Sequence, residues 1–435
     1  MTKNHFTNIS FKEKTKIFSE EYLKCCLYIS NFDISEFVFT EKFLLKLVSS
    51  SQILEDFLDF HGARNSKKWY FYRELTAAVR HLSRGSLYQK HISKRLDFYM
   101  LDNVEEFRKE GYTTLDFLTQ TLIDLAPVII DEARRLNIPI PENSFGPADF
   151  PSIVTNEILD YDIDDADRDQ QKKNIVKIAS DFLQIIREFE PWESYGPRTL
   201  EEIKEIVPEK VNEVLVGRFE MTIHNLQSSF DTYVIHGGLK FGNKKFKKLR
   251  GIFSVVFHLL QTTSRLLHFY ERHLYDAGYK NIYKHVQGLL SDIIDPDALI
   301  DRTINYGLFY TCYFLSAGKK IAKEILNENI EKSSITVGVP VELGFHSRPS
   351  MMVAKIVQHY GGNVEMCVGN DRFDASSVLD MQWAGGKIQK ENIEEVTFQG
   401  DVRSLHDIKI LAGVNYGEDS MGKGIPLPHE IKHLR

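Results

Sequence analysis

Apolar residues recur at helical spacing from the N-terminus to about residue 330. One stripe contains Phe117, Leu118, Leu122, Leu125 and Ile129. These positions share one face of a helix because an α-helix has 3.6 residues per turn. Similar stripes run through residues 178–186 and 253–270. The pattern therefore predicts a large all-α N-terminal region.

Helix breakers indicate where this region divides. Four prolines between residues 139 and 151 precede an acidic run from Asp160 to Asp169. Clustered prolines and like charges are typical of linkers. We therefore expect a boundary between residues 138 and 170, with a first helical part over residues 1–145 and a second over residues 146–330.

The hydrophobic period changes from helical to alternating after Ser333, as expected for strands. Pro340 indicates that the first strand is an edge strand, because proline cannot donate to a neighbouring strand. Residues 331–413 are therefore predicted to form a domain with the order βαββαβα, followed by an irregular tail over residues 414–435. The predicted elements are a strand at 335–341, a helix at 349–360, strands at 364–368 and 372–375, a short helix at 376–383, a strand at 395–398 and a helix after Asp401.

Composition places the chain among ordinary globular proteins. Hydrophobic residues make up 43% and charged residues 26% of its 435 residues, which excludes collagen-like, fully disordered and disulfide-stapled classes. The net charge of −7 disfavours nucleic acid as a partner. No uncharged stretch reaches the ~20 residues of a membrane helix, and four scattered cysteines suit a reducing compartment. We expect a cytoplasmic protein without a membrane partner.

The segment Gly344-Phe345-His346-Ser347-Arg348-Pro349-Ser350 combines residues suited to phosphate chemistry. His346 directly precedes the predicted helix, whose first amides, including those of Ser347 and Arg348, have no partner within the helix. Arg348 adds planar donors that match phosphate oxygens, and Gly344 allows a sharp turn. The helix end and the guanidinium favour a neutral, nucleophilic imidazole.

These residues resemble the active-site motif of HPr, the histidine-containing phosphocarrier protein of the bacterial phosphotransferase system. The matching positions are Gly344, His346, Arg348, Pro349 and Ser350. The resemblance implies an open-faced βαββαβα sandwich and phosphorylation of His346 on Nδ1 by an Enzyme I-like donor, with phosphoenolpyruvate as the phosphoryl source. It also implies onward transfer to an acceptor or regulatory target, with no cofactor.

A second match lies at Ala375-Ser376-Ser377, where the family carries a regulatory serine. Ser377 matches that serine, which implies an HPr kinase as a further partner. A phosphate there would suit the helix N-terminus and would repel an acidic partner. A plain helix N-cap is the structural alternative for Ser377.

The sequence thus predicts a multidomain protein, with a large all-α region and a C-terminal α+β HPr-like domain. We expect a phosphocarrier or phosphorelay regulator that is a phosphoacceptor rather than a turnover enzyme, with a regulatory or partner-binding helical region. Two alternatives stay open. One is a scaffold in which His346 is never phosphorylated, and the other is a helical enzyme controlled by the HPr-like domain.

Histidines in the helical region give weaker signals. The segment His81-Leu82-Ser83-Arg84-Gly85 faintly resembles the core of histidine phosphotransfer domains, in which a histidine on a helix faces solvent. His258, His268 and His273 share a helical segment, but spacings of ten and five differ from the i, i+4 metal pair of an α-helix. From the sequence we therefore expect no metal site.

Overall fold

Helices dominate the part of the chain that the structure, a computed structural model, describes. The described residues are 9–31, 39–152, 168–193, 196–235, 244–276, 278–341, 343–419 and 421–434. The predicted acidic run lies outside them up to Asp167. The helices before the sheet are α1 (Phe11–Ser30), α2 (Glu41–Phe60), α3 (Tyr70–Arg95), α4 (Glu105–Arg135), α5 (Arg168–Phe189), α6 (Leu200–Ile206), α7 (Glu213–Phe230), α8 (Lys244–Phe269), α9 (Asn281–Ser291), α10 (Pro296–Asp301) and α11 (Phe309–Asn329).

Three of these helices continue into π-helical turns, in which hydrogen bonds join residues five apart instead of four. The turns Asp231–Ile235, Tyr270–Tyr275 and Arg302–Leu308 follow α7, α8 and α10 respectively. Such turns shift the face on which later side chains lie. The hydrophobic stripes therefore predict the helices well, although they do not indicate where the helical period changes.

A four-stranded antiparallel sheet follows the helices and confirms the predicted change from an all-α region to a C-terminal region with strands. The strands lie in the order β1-β4-β2-β3, so β1 is an edge strand as predicted, although it ends at Gly338, before Pro340. Phe398 of the fourth strand pairs with Ile335 on one side and with Met366 on the other. The elements are β1 (Lys332–Gly338), α12 (Ser347–Tyr360), β2 (Val364–Val368), β3 (Asp371–Asp374), α13 (Val378–Glu391), β4 (Glu395–Asp401) and α14 (Val402–Gly413).

One face of the sheet is covered by helices and the other is polar. Val353, Ile388 and Ile408, from the three helices that follow β1, pack with Phe398 in one hydrophobic cluster. The uncovered face carries polar pairs such as Thr336 with Thr397. This alternation of buried and exposed side chains along the strands is typical of an antiparallel sheet with one solvated face.

Helix α13 is longer than the predicted helix at 376–383. Gly385 lies inside it, where a Cβ would be only 2.8 Å from the carbonyl oxygen of Phe345. The glycine permits close packing inside the helix. The helix ends at Asn392, whose φ of 53° gives the left-handed conformation common after a helix.

The tail has no α-helix or strand among its described residues, but it packs onto the sheet-containing region. It contains two 3-10 turns, Asn415–Gly417 and His429–Leu434. Tyr416 and Ile431 are almost completely buried in the same hydrophobic cluster as Phe398. The Tyr416 hydroxyl donates to the carbonyl of Gly338 at 2.8 Å. The tail is therefore a part of this hydrophobic core.

The chain divides into two compact units, each built from segments that are separated in sequence. We call Met1–Asp160, Glu193–Asn225 and Arg250–Phe314 the helical unit, and Tyr161–Trp192, Leu226–Leu249 and Leu315–Arg435 the mixed unit. This division differs from the predicted division at residues 145, 330 and 413. Periodicity shows which face of a helix is apolar but not which element covers it, so helices such as α5 could not be assigned to the mixed unit.

Helix α4 is the one described helix that is long and apolar enough, by length and composition alone, to cross a membrane. Core helices of soluble proteins meet the same criteria, and 44% of its apolar stretch is buried within the fold. This helix is thus weak support for a membrane span.

Candidate functional site

The segment 344–350 forms the tight entry to α12. Gly344 has a φ of +60°, a conformation that favours glycine, and its carbonyl accepts a hydrogen bond from the His346 amide at 2.8 Å. His346 is the N-cap residue of α12, and its carbonyl accepts from the Ser350 amide at 3.1 Å. The imidazole is therefore attached at the positive end of the helix.

His346 is hydrogen-bonded to a carboxylate that the sequence did not indicate. Its Nε2 lies 2.9 Å from Oε2 of Glu418 in the tail. The Glu418 side chain is only 3% exposed, whereas the His346 side chain is 30% exposed. In the neutral imidazole, a proton on Nε2 would be donated to this carboxylate, and the lone pair would then lie on Nδ1.

The second carboxylate oxygen of Glu418 faces Arg348. Oε1 lies 3.8 Å from Nε of Arg348 and has no hydrogen-bond partner among the described residues. The guanidinium is 45% exposed and packs against the backbone of Gly424, where a Cβ would collide with it. Arg348 therefore lies beside the buried carboxylate with part of its side chain open to solvent.

The tail places Glu418 through a short hairpin-like bend. Glu418 bridges to Gly424 in antiparallel fashion, and the Ile425 amide donates to the Gly417 carbonyl at 2.9 Å. Tyr416 anchors the start of the bend, with its ring 5.0 Å from that of Phe345. A sequence signal for this packing existed in the apolar Tyr416 and Ile431, but nothing in the pattern indicated which polar residue would reach His346.

Ser347 connects α12 with α13, whereas Ser377 caps α13. Ser347 is exposed, and its hydroxyl accepts from Gln382 of α13 at 3.0 Å. Ser377 is the N-cap residue of α13 and accepts from the Asp380 amide at 3.2 Å. Ser377 therefore has the N-cap role that was its structural alternative, and its hydroxyl lies at the N-terminus of α13.

His81 does not have the solvent-facing position that its weak resemblance implied. Its side chain belongs to α3 of the helical unit and is 2% exposed. Burial, together with the nearby Arg80, lowers the pKa of His81 well below its ordinary value. A partner could not reach this ring as it reaches a surface phosphohistidine, so the phosphotransfer interpretation of His81 is wrong.

The geometry defines an α+β unit with a histidine-carboxylate pair at a helix N-terminus. Searches with the chain against protein-family models, curated proteins and solved structures give no match.

Proposed function

We propose that the mixed unit is an HPr-like phosphocarrier or phosphorelay regulator whose His346 accepts a phosphoryl group. The observation that carries the proposal is the hydrogen bond from His346 Nε2 to the buried Glu418, at the N-terminus of α12. The order βαββαβα and the one-sided sheet support the resemblance to HPr. Phosphoenolpyruvate is the proposed phosphoryl source, through an Enzyme I-like donor.

In this proposal Glu418 selects the nitrogen that reacts. With the proton held on Nε2, the Nδ1 lone pair attacks the phosphorus of the donor. A bond forms between Nδ1 and phosphorus, and the bond between phosphorus and the donor's leaving atom breaks with its electron pair staying on the donor. Positive charge develops on the imidazole, and the carboxylate of Glu418 stabilises it.

The start of α12 would hold the transferred group. The amides of Ser347 and Arg348 lie in the first turn, where backbone donors lack partners within the helix. Anions bind favourably at such positions because the helix dipole adds to the hydrogen bonds. The guanidinium of Arg348 supplies further donors to the phosphate oxygens.

Exposed apolar side chains on α12 and α13 support docking of a partner. Met351, Leu379 and Trp383 are 41%, 54% and 62% exposed, respectively. Ser377 lies one residue before α13, so its phosphorylation would add negative charge beside Leu379. We propose Ser377 as the regulatory position, with an HPr kinase as the enzyme that modifies it. In this proposal the phosphoryl group then passes from His346 to a regulatory target.

The test is phosphorylation of the full chain by labelled phosphoenolpyruvate and Enzyme I. We expect an acid-labile, alkali-stable adduct on wild type that is lost in His346→Ala. His406→Ala is the matched control, because His406 is an exposed histidine of the same unit on α14 and this variant should be labelled like wild type. Absence of an adduct on wild type would contradict the proposal and favour the scaffold.

A further inference from the structure

Three histidines meet inside the helical unit, away from the residues used so far. They are His81 on α3, His268 at the end of α8, and His273 in the π-helical turn after it. One ring nitrogen from each lies within 4.8 Å of the other two. The ring centroids of His81 and His268 are 4.5 Å apart, and His273 lies 6.0 Å from both.

The π-helical turn explains why sequence spacing did not indicate this cluster. His268 and His273 are five residues apart, which in an α-helix directs two side chains away from each other. In Tyr270–Tyr275 the backbone bonds join residues five apart, as from the Asp276 amide to the Glu271 carbonyl at 3.1 Å. Side chains five residues apart then lie on the same face of the helix, as side chains four residues apart do in an α-helix. π-helical turns are frequent at functional sites.

Two of the histidines are oriented by carboxylates. Nδ1 of His273 lies 2.5 Å from Oε2 of Glu74, and both side chains are buried. Nδ1 of His268 pairs in the same way with Oε2 of Glu213. When Nδ1 donates to a carboxylate, Nε2 keeps its lone pair. Metal-binding histidines are commonly held by a carboxylate in this arrangement, which makes them better ligands.

The third histidine has a buried nitrogen without a partner. Nδ1 of His81 is completely buried and makes no hydrogen bond among the described residues, although buried polar atoms are normally paired. Its Nε2 lies 2.9 Å from Arg80. The charge of Arg80 is balanced by Glu55, with Nε 2.7 Å from Oε2. The cluster thus contains an unused nitrogen and several nearby carboxylates.

We propose that His81, His268 and His273 bind one transition-metal ion of the kind that imidazole prefers, such as Zn²⁺, Fe²⁺ or Co²⁺. Nitrogens around one tetrahedral ion lie ~3.4 Å apart, since each is ~2.1 Å from the metal. The ring nitrogens therefore approach one another by up to ~1.4 Å when the ion binds. Three protein ligands leave one position open for water or a substrate. The site is independent of the proposed phosphorylation of His346.

The test uses the full chain, stripped of metal by a chelator and then titrated with Co²⁺. We expect one equivalent to bind, with the visible absorption of a tetrahedral site, and Zn²⁺ to displace it. His268→Asn should weaken binding at least ~10-fold, because the metal loses one ligand. The His268 side chain is 37% exposed, so this variant disturbs packing least. His258→Gln, another histidine of α8, should bind like wild type.

A second variant separates ligand loss from misfolding. Glu213→Gln keeps all three imidazoles and should weaken Co²⁺ binding by about 10-fold, with an unchanged helical circular dichroism spectrum. Absence of stoichiometric binding to wild type would overturn the proposal. So would equal affinities of wild type, His268→Asn and Glu213→Gln.

Discussion

Glu418 is a carboxylate with few contacts for its degree of burial. One oxygen accepts from His346, while the other has only a distant guanidinium 3.8 Å away. Burial of a charge is costly unless that charge is paired. Glu418 therefore suits a site in which its Oε1 gains a hydrogen-bond partner while positive charge develops on the His346 ring.

The substitution Glu418→Gln tests whether Glu418 selects the nitrogen of His346 that reacts, because it changes a single carboxylate oxygen to an amide nitrogen. The amide can donate to Nε2 of His346, which would move the proton to Nδ1 and block the nitrogen that reacts. We expect phosphorylation by Enzyme I to slow about tenfold or more. Long-range ¹H-¹⁵N spectra of the His346 ring should show the change of tautomer.

Asp419→Asn, one residue further along the tail, is the matched control. It removes a carboxylate whose hydrogen bonds are to the amides of Met421 and Lys423 rather than to His346. Equal rates and an unchanged tautomer in Glu418→Gln would show that the contact with His346 is structural only.

His258 should make stability depend on pH. Burial, with His91 at a ring distance of 4.2 Å, lowers the pKa of His258 from 6.5 to about 4. The unfolded chain therefore binds a proton as pH falls below 6.5, whereas the folded chain does so only near 4. The stability contribution is complete above pH 6.5 and is lost between 6.5 and 4, by roughly 3 kcal/mol at ~1.4 kcal/mol per unit.

The measurement is the urea midpoint of wild type and His258→Gln at pH 7 and pH 4.5. The variant should lose less stability between the two values than wild type does. His406→Gln, at an exposed position, should behave like wild type. Equal losses in wild type and His258→Gln would contradict the prediction.

At the scale of residues, the sequence predicts only contacts that lie close along the chain. Gly344, His346 and Arg348 fall within five positions, so the motif itself indicated their chemistry. Glu418 is 72 residues from its partner, and neither spacing nor hydrophobic period carries information on such a contact. The physical cause is the path of the tail, which depends on packing.

At the scale of elements, the tail is a short strap that is attached by buried side chains near its two ends. Tyr416 and Ile431 are both buried at its two ends, and the bend that carries Glu418 lies between them. A few backbone hydrogen bonds close the bend, such as that from the Ile425 amide to the Gly417 carbonyl, and the two apolar anchors attach it to the hydrophobic core. The position of Glu418 should therefore depend on a residue that does not touch the site.

Ile431→Ala is expected to loosen this strap. Removing a fully buried isoleucine side chain costs about 2–4 kcal/mol, and the cost should appear as faster amide hydrogen exchange in residues 414–434. Phosphorylation of His346 should slow as well, because Glu418 loses its fixed position. Ile425→Ala, at a position 36% exposed, should change neither quantity. Exchange confined to residues 429–434 would contradict the link to Glu418.

Element order was predictable because strands and helices differ in period. The strands and helices after Ser333 follow the predicted order, with most ends shifted by a few residues and the end of α13 shifted from residue 383 to Glu391. The π-helical turn Tyr270–Tyr275 was not predictable, since a single inserted residue leaves no recognisable mark in the hydrophobic pattern of a helix. For this reason the i, i+4 spacing of an α-helix is the wrong standard for the five-residue separation of His268 and His273.

At the scale of the whole molecule, each candidate site lies within one unit. His346, Arg348 and Glu418 belong to the mixed unit, whereas His81, His268 and His273 belong to the helical unit. The described hydrogen bonds and ion pairs of these six residues stay within their own units. The simplest consequence is that a substitution can remove either the proposed phosphorylation or the proposed metal binding without affecting the other.

We therefore predict that His346→Ala binds Co²⁺ like wild type, and that His268→Asn is phosphorylated by Enzyme I like wild type. Isothermal titration and phosphoryl labelling of the same preparations provide the measurement. If either substitution reduced the activity of the other site more than twofold, the sites would be coupled. That result would favour the alternative in which the HPr-like region controls a helical enzyme.

The interleaving of the two units also has a consequence during synthesis on the ribosome. Helix α5 emerges early, but α12, to which its Ser180 donates at the carbonyl of Tyr360, is translated only near the end. Ile178, Phe182 and Ile186 of α5 are buried in the folded protein, and the contacts of α5 with α12 can form only after α12 has been translated. A nascent chain of this kind is a natural client for chaperones, and a gene fragment that begins at the sheet would encode an incomplete unit.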